Sequence, residues 1–298
     1  MHILLIIFAL CIALVIFVFL ESYRELNKIK LTTYEISLSG HNDSDSKKDA
    51  IRNLRGKKLV FISDYHEAQG GRLNERIINL VNEFNPQYIL LGGDMVNSNA
   101  EGEDGEILPA ADLINKLSES YKVFYALGNH EKRCSLNYHE SGKAWDAFKN
   151  SLDENVTFLV NDNFEIWDNV RVYGLDIPIK YYGRGVFPEL DGEKINKMLG
   201  LPSNDEYNIL LGHTPDFMKA YSQWGADLVL SGHFHGGILR FPFINRGLIT
   251  PRLRPFADYV YGMKKMGNTT MLITNGIGQH SVKLKINNIP EVVGIVFK

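Results

Sequence analysis

Lys58-Leu59-Val60-Phe61-Ile62-Ser63-Asp64-Tyr65-His66 decides how the rest of the chain is read. Lys58 to Ile62 is an apolar run of strand length, rich in β-branched and aromatic residues. Just past its end stand two side chains that can do chemistry, Asp64 and His66. The same arrangement returns along the chain. Tyr88–Leu91 leads into Gly93-Asp94, and Lys122–Leu127 into Gly128-Asn129-His130-Glu131. Tyr207–Leu211 leads into Gly212-His213, and Leu228–Leu230 into Gly232-His233-Phe234-His235. Every motif follows a run that reads as a buried strand.

Between the early strands lie helical patterns. Arg72 to Phe84 places Ile77, Leu80, Val81 and Phe84 on one face, and similar patterns occupy Ala110–Leu117 and Ala144–Leu152. Alternation of strand and helix argues for parallel strands with crossover helices. Further strands are expected at Val156–Val160, Val170–Tyr173, Thr270–Thr274 and Val292–Phe297, a strand-rich end that suggests an added antiparallel portion. In such α/β sheets, ligands bind beyond the carboxyl ends of strands. Asp64, Asp94, Asn129, His213 and His233 all occupy such ends.

Taken together the motifs supply two carboxylates, one amide and five imidazoles, a donor set suited to two adjacent divalent cations. If the segment is extended, residues two apart point the same way, so Asp64 and His66 can share a cation, and His233 and His235 likewise share a face. The two oxygens of Asp94 can bridge two cations, and Asn129 adds a ligand without charge. Mixed Asp, His and Asn donors suit Mn²⁺, Fe or Zn²⁺ better than Ca²⁺, which prefers oxygen alone. Two such ions about 3.5–4 Å apart would hold a bridging hydroxide and clamp a phosphoryl group. His130, left over from ligation, is placed to protonate the departing oxygen. Glu131 is a candidate for orienting His130. Singly, Asp-x-His or Gly-Asp is a common turn sequence; it is the order of all five that carries the argument. The other histidines, His2, His41, His139 and His280, fall outside the motifs and read as surface or packing residues.

Ile3 to Leu20 is an unbroken apolar run of 18 residues, about 27 Å long as a helix and just enough to cross a bilayer core. A cleaved signal peptide would want a basic start and small residues after the run, and neither is present. The expectation is an N-terminal membrane anchor over 1–22. A juxtamembrane segment, a strand at Thr33–Leu38 and an exposed polar loop at His41–Lys48 would fill 23–56, and one catalytic domain 57–298. Arg24, Lys28 and Lys30 follow the run while no basic residue precedes it, which favours a cytoplasmic-facing domain. The formal net charge of −3 gives no electrostatic reason to expect nucleic acid. The two cysteines, Cys11 and Cys134, form no metal-binding spacing.

The ordered set D-x-H, G-D, G-N-H-E, G-H and G-H-x-H resembles the calcineurin-like metallophosphoesterase superfamily from about Lys57 onward. The resemblance implies an α/β fold of two mixed β-sheets sandwiched between helices, here preceded by one transmembrane helix. It also implies one metal on Asp64, His66, Asp94 and His235, the other on Asp94, Asn129, His213 and His233, with His130 as the acid. Within that superfamily the anchor, the strand around Tyr34-Glu35-Ile36, and Gly236-Gly237 running into Arg240-Phe241-Pro242-Phe243 resemble the membrane-anchored bacterial YkuE and YaeI type. Relatives of this type include enzymes that split the pyrophosphate of UDP-2,3-diacylglucosamine. Protein phosphatases of the superfamily carry Asp-Arg-Gly after the second motif. Here Met95-Val96-Asn97-Ser98-Asn99 follows Asp94, which weighs against that activity.

The leading expectation is therefore a phosphodiesterase or pyrophosphatase acting on a lipid- or nucleotide-linked phosphate ester. A phosphomonoesterase, a nuclease of the same superfamily and a non-catalytic membrane scaffold are the rivals. Arg240, Arg246, Arg252 and Arg254, interleaved with Phe241, Phe243, Phe256, Tyr259 and Tyr261, follow a metal-ligand candidate directly. They are expected to grip an anionic, partly apolar substrate.

Overall fold

Alternation along the strands divides their side chains between different cores. In Lys58–Ile62, Leu59 and Phe61 join one buried cluster while Val60 and Ile62 join another. The computed structural model describes residues 2–38, 44–66, 70–98, 108–136, 141–183, 188–237, 247–249, 255–257, 260–278 and 287–298.

The first half runs α1 (His2–Leu26), β1 (Lys30–Ile36), α2 (Asp45–Leu54), β2 (Lys58–Ile62), α3 (Arg72–Phe84), β3 (Tyr88–Leu91), α4 (Leu108–Ser118), β4 (Lys122–Ala126), α5 (Asn129–Leu136), α6 (Ser141–Ser151) and β5 (Val156–Leu159). The second half runs β6 (Asp162–Trp167), β7 (Val170–Gly174), α7 (Gly192–Leu199), β8 (Tyr207–Leu211), α8 (Met218–Trp224), β9 (Leu228–Ser231), β10 (Gly247–Ile249), β11 (Pro255–Ala257), β12 (Gly262–Met266), β13 (Thr269–Ile273) and β14 (Glu291–Phe297).

Two six-stranded sheets result, ordered β1-β14-β2-β3-β4-β5 and β12-β13-β9-β8-β7-β6, with β10 and β11 as a separate ribbon. Strands β2 to β5 are parallel, as are β7, β8, β9 and β13. Antiparallel pairing enters where β14 meets β2 and at the edge strands β6 and β12.

Phe61, Leu90, Phe124, Ile209, Leu211, Leu228, Leu230, Leu272 and Ile295 form the core between the sheets. Their neighbours one residue along face helices instead. Val60, Ile89, Val123 and Tyr125 pack with Ile77 and Val81 of α3, Ile114 of α4 and Phe148 of α6. On the other side Leu210, Val229 and Met271 pack with Ile195 of α7 and Tyr221 and Trp224 of α8. The molecule is thus layered helix, sheet, sheet, helix. Phe61 is fully buried at the centre, and truncating such a residue to alanine typically costs about 3–5 kcal/mol.

The polar stretch expected as a loop over 41–48 turns helical at Asp45. Ser44 caps α2 by accepting from Lys47 N–H at 3.2 Å. Ala50, Ile51 and Leu54 then press into the intersheet core, and that apolar stripe stabilises a helix whose first turn is polar. β1 pairs along its whole length with β14. The strands β6 and β12 escape the sequence patterns because both are half-exposed edges, where polar side chains replace the apolar signal.

Along α1 the apolar side chains at Leu5–Leu10, Val15–Phe17 and Phe19–Leu20 are exposed to the surroundings. The span Leu5–Glu25 is long and apolar enough to cross a membrane.

Candidate metal centre

Parallel pairing brings the carboxyl ends of β2, β3 and β4 to one edge, and those of β8 and β9 to the same edge of the second sheet. The loops there are stitched across both sheets. Asp64 N–H donates to Gly93 O at 3.0 Å and His66 N–H to Asp94 O at 3.1 Å. His213 Nδ1 lies 2.8 Å from Gly92 O. His233 N–H donates to both Asp64 oxygens, at 2.9 and 3.1 Å.

Asp64, His66, Asp94, His233 and His235 all have positive φ, between 45° and 66°. The expected extended geometry of Asp-x-His and His-x-His is therefore corrected. The side chains converge through left-handed turns, a conformation costing of order 1–3 kcal/mol at a non-glycine residue. His233 and His235 do not share a face but separate into different clusters. Close approach also explains Gly232: a Cβ there would collide with Asp64 Oδ2.

Among the described residues three overlapping groups of ligand atoms result: Asp64, His66 and His235; His66, Asp94 and His130; and Asp94, His213 and His233. Asp94 belongs to two of them. Its Oδ2 lies 3.1 Å from His213 Nε2 and 3.8 Å from His66 Nε2, while Oδ1 accepts from His130 N–H at 2.8 Å. His66 Nε2 faces His235 Nε2 at 3.1 Å, and His235 Nε2 lies 3.6 Å from Asp64 Oδ1. Asn129 sits on the first turn of α5, nearly fully buried.

Supporting residues fix which nitrogen is available. Asn97 Oδ1 lies 3.1 Å from His66 Nδ1, so as the neutral imidazole His66 donates there and keeps its Nε2 lone pair for the cluster. Gly92 O does the same for His213. Ser98 N–H donates to His130 Nδ1 at 3.0 Å, leaving the proton of the neutral ring on Nε2. Glu131 does not orient His130. Its carboxylate instead accepts from the N–H groups of Asp94 (2.8 Å), Met95 (2.7 Å) and Gly128 (3.0 Å), and from the Tyr125 hydroxyl (2.8 Å). It ties the Asp94 loop to the start of α5.

Asn97, Ser98 and Tyr182 were not singled out by the motifs. Asn97 and Ser98 follow Asp94 in the same loop, a signal available in hindsight. Tyr182, whose ring lies 5.5 Å from that of His233 and 6.0 Å from that of His213, gave none. Arg240, Arg246, Arg252 and Arg254 lie outside the described residues, as do His41, His139 and His280.

The electrostatics call for added positive charge. Burial and the neighbouring Asp94 charge push the Asp64 carboxyl up to about 6, against the pull of His213. Burial also opposes charge on Asp94, but His213, His130 and His66 outweigh it and hold that carboxyl well below its ordinary range. Burial disfavours the charged His213, yet Asp94 and Asp64 overcome it and raise the imidazole to about 9. Two buried carboxylates are competing for too little cationic partner. Asn129 Oδ1 is buried with no hydrogen-bond partner among the described residues, although such groups are normally paired. Divalent cations fit both facts: they neutralise the carboxylates and give Asn129 Oδ1 a partner.

A two-sheet sandwich with a shared Asp/His/Asn cluster at its carboxyl edge defines a metal-dependent phosphoester hydrolase. The chain belongs to the calcineurin-like phosphoesterases, whose family model matches residues 57–237. An uncharacterized metallophosphoesterase of Campylobacter jejuni is 29% identical over 90% of this chain and 68% of its own length. The phosphodiesterase YaeI of Escherichia coli is 26% identical over 79% of this chain and 80% of its own. A transmembrane protein with metallophosphoesterase domain from Danio rerio is 26% identical over 83% of this chain, which spans only 54% of that relative.

Proposed function

We propose that this chain is a membrane-anchored phosphodiesterase or pyrophosphatase using two divalent cations. The observation that carries the reading is Asp94 Oδ2, within 3.1 Å of His213 Nε2 and 3.8 Å of His66 Nε2. One carboxylate there can serve both halves of the centre. Asp64, His66, Asp94 and His235 would hold one cation, and Asp94, Asn129, His213 and His233 the other. The donor set suits Mn²⁺, Fe or Zn²⁺. When bound, the ions supply Lewis acidity to a phosphoryl oxygen and lower the pKa of water.

The protein's own groups do the rest. Asn97 and Gly92 O hold two ligand imidazoles in the productive tautomer. His130, oriented by Ser98 N–H, presents the Nε2–H of its neutral ring to the departing oxygen as a hydrogen-bond donor. A diester or pyrophosphate is favoured over a phosphoprotein by the sequence after Asp94, which lacks the phosphate-gripping Arg. The name of the YaeI relative supports the diester. A lipid- or nucleotide-linked substrate of the UDP-2,3-diacylglucosamine kind fits this reading. A nuclease is disfavoured by the net charge of −3.

The anchor is α1, and Arg24, Lys28 and Lys30 past its apolar span favour a cytoplasmic-facing domain. Protease added outside sealed, inside-in vesicles should leave that domain intact.

Full-length protein in detergent should cleave bis(p-nitrophenyl) phosphate with Mn²⁺, lose the activity with chelator, and lose it in Asp94→Asn. Preferential cleavage of p-nitrophenyl phosphate would instead make the protein a phosphomonoesterase. Cation binding with neither ester cleaved would favour a scaffold.

A further inference from the structure

The last turn of α1 is fastened to the metal centre. Ser22 and Glu25 are 2% and 3% exposed, whereas Leu20 and Tyr23 beside them are 64% and 71% exposed. Glu25 Oε2 accepts from Asn288 N–H at 2.9 Å. The Asn288 amide in turn donates to His235 O at 2.6 Å and Gly237 O at 2.7 Å. Only two hydrogen bonds separate the helix from the backbone of His235.

The junction is held elsewhere too. Arg76 donates to Asn27 O at 2.8 Å. Ile29 lies in the same buried cluster as Ile277, whose N–H donates to Asp64 O at 3.2 Å. Lys30 N–H then bonds to Pro290 O at 3.1 Å as β1 begins. Four attachments thus hold the helix to the domain, and two of them, through Asn288 to His235 and through Ile277 to Asp64, lead to ligand-bearing loops.

Geometry limits how far the centre can stand from the bilayer. Glu25 is five residues beyond Leu20, about 7.5 Å along a helix axis. The polar layer on each side of a bilayer is about 5–7 Å thick. With Leu20 at the end of the apolar core, Glu25 and the His235 loop beside it therefore stand at the outer edge of the headgroup layer. Arg24, ion-paired with Glu21, and Lys28 are both exposed just past the apolar span, where basic charge favours anionic headgroups.

We propose that α1 holds the carboxyl edge of the sandwich against the membrane surface, so that the centre selects phosphoesters carried on lipids of that membrane over soluble ones. The inference rests on the phosphodiesterase reading above; it narrows the lipid- or nucleotide-linked substrate to one embedded in the same membrane and adds the direction of approach.

The test compares two esters of one headgroup, p-nitrophenyl phosphatidate in phosphatidylcholine vesicles with added phosphatidylglycerol, and its water-soluble dihexanoyl analogue. Full-length protein is reconstituted into the vesicles with Mn²⁺. We expect at least tenfold higher kcat/KM on the embedded ester. A thirty-residue Gly/Ser insert between Leu20 and Glu21 spans about 30 Å on average while leaving Glu25, Asn288 and the centre untouched. It should collapse the ratio to about one, through loss of the embedded rate alone. A wild-type ratio near one, or a ratio the insert leaves unchanged, would overturn the inference while soluble hydrolysis upholds the activity. No metal-dependent cleavage of either ester would overturn the activity reading and this inference with it.

Discussion

The backbone N–H of Ser98 points at Nδ1 of His130 across 3.0 Å, so the neutral ring carries its proton on Nε2. Burial holds the His130 pKa below its usual value, against the pull of Asp94, so the ring is kept neutral and acts on the departing oxygen as a hydrogen-bond donor through Nε2–H. Such a donor matters most when the departing oxygen is a poor leaving group. His130→Ala should therefore lower kcat on an alkyl phosphodiester by about 10²–10³-fold, with a much smaller loss on a p-nitrophenyl diester. Equal losses on both would remove His130 from that role.

Glu131 is a structural clamp, and its removal should show as stability. Glu131→Ala strands the N–H groups of Asp94, Met95 and Gly128 in a fully buried site. Leaving buried donors unpaired costs about 1–3 kcal/mol each before relaxation. Thermal melts with chelator present should show Tm falling by at least several degrees, with Glu131→Gln losing less. An unchanged Tm would refute the clamp.

Asn97 should tune cation affinity without touching the cation. Its Oδ1 fixes the His66 tautomer, and its Nδ2 donates to His66 O at 3.2 Å, so ring and backbone are held together. Cys134 Sγ supports the same loop by donating to Asn97 O at 3.5 Å. Partners of ligand histidines typically contribute 10–100-fold to metal affinity. Mn²⁺ titration of Asn97→Ala by calorimetry should show a loss of that order at one site, with the other close to wild type. Wild-type affinity at both sites would exclude the role.

The strands of the site were legible because they are buried on both faces, so β2, β3, β4, β8 and β9 stand out as continuous apolar runs. Motifs at their ends then fell on one edge by parallel pairing alone. What stayed hidden had no local signal. The left-handed turns at Asp64, His66, His233 and His235 come from contacts between loops; Asp and His enter that region more readily than most side chains, yet they do not announce it as glycine does. Glu131 looked like a neighbour of His130 in sequence, yet its side chain turns back to the Asp94 loop. Tyr182 reaches His233 from a one-turn helix at Ile179–Tyr182 that carries no motif. The link from Glu25 to Asn288 joins opposite ends of the chain, where no pattern within either segment could reveal it.

Asp94 and Asp64 should separate when each is neutralised, because they occupy the centre differently. Asp94 belongs to the His66 group and to the His213 and His233 group, whereas Asp64 joins only His66 and His235. Asp94→Asn removes the charge shared by both halves, so the purified protein should retain less than half of the wild-type metal content. Asp64→Asn leaves Asp94, Asn129, His213 and His233 intact and should keep about one ion per chain. Metal analysis after gel filtration in metal-free buffer reads this directly. Asp64→Asn also loses a buried carboxyl that accepts from His233 N–H, but an asparagine oxygen can still take that bond, which limits collapse of the loop. Equal metal content in the two variants would mean that Asp94 does not bridge, and the assignment of ligands to two cations would have to be redrawn.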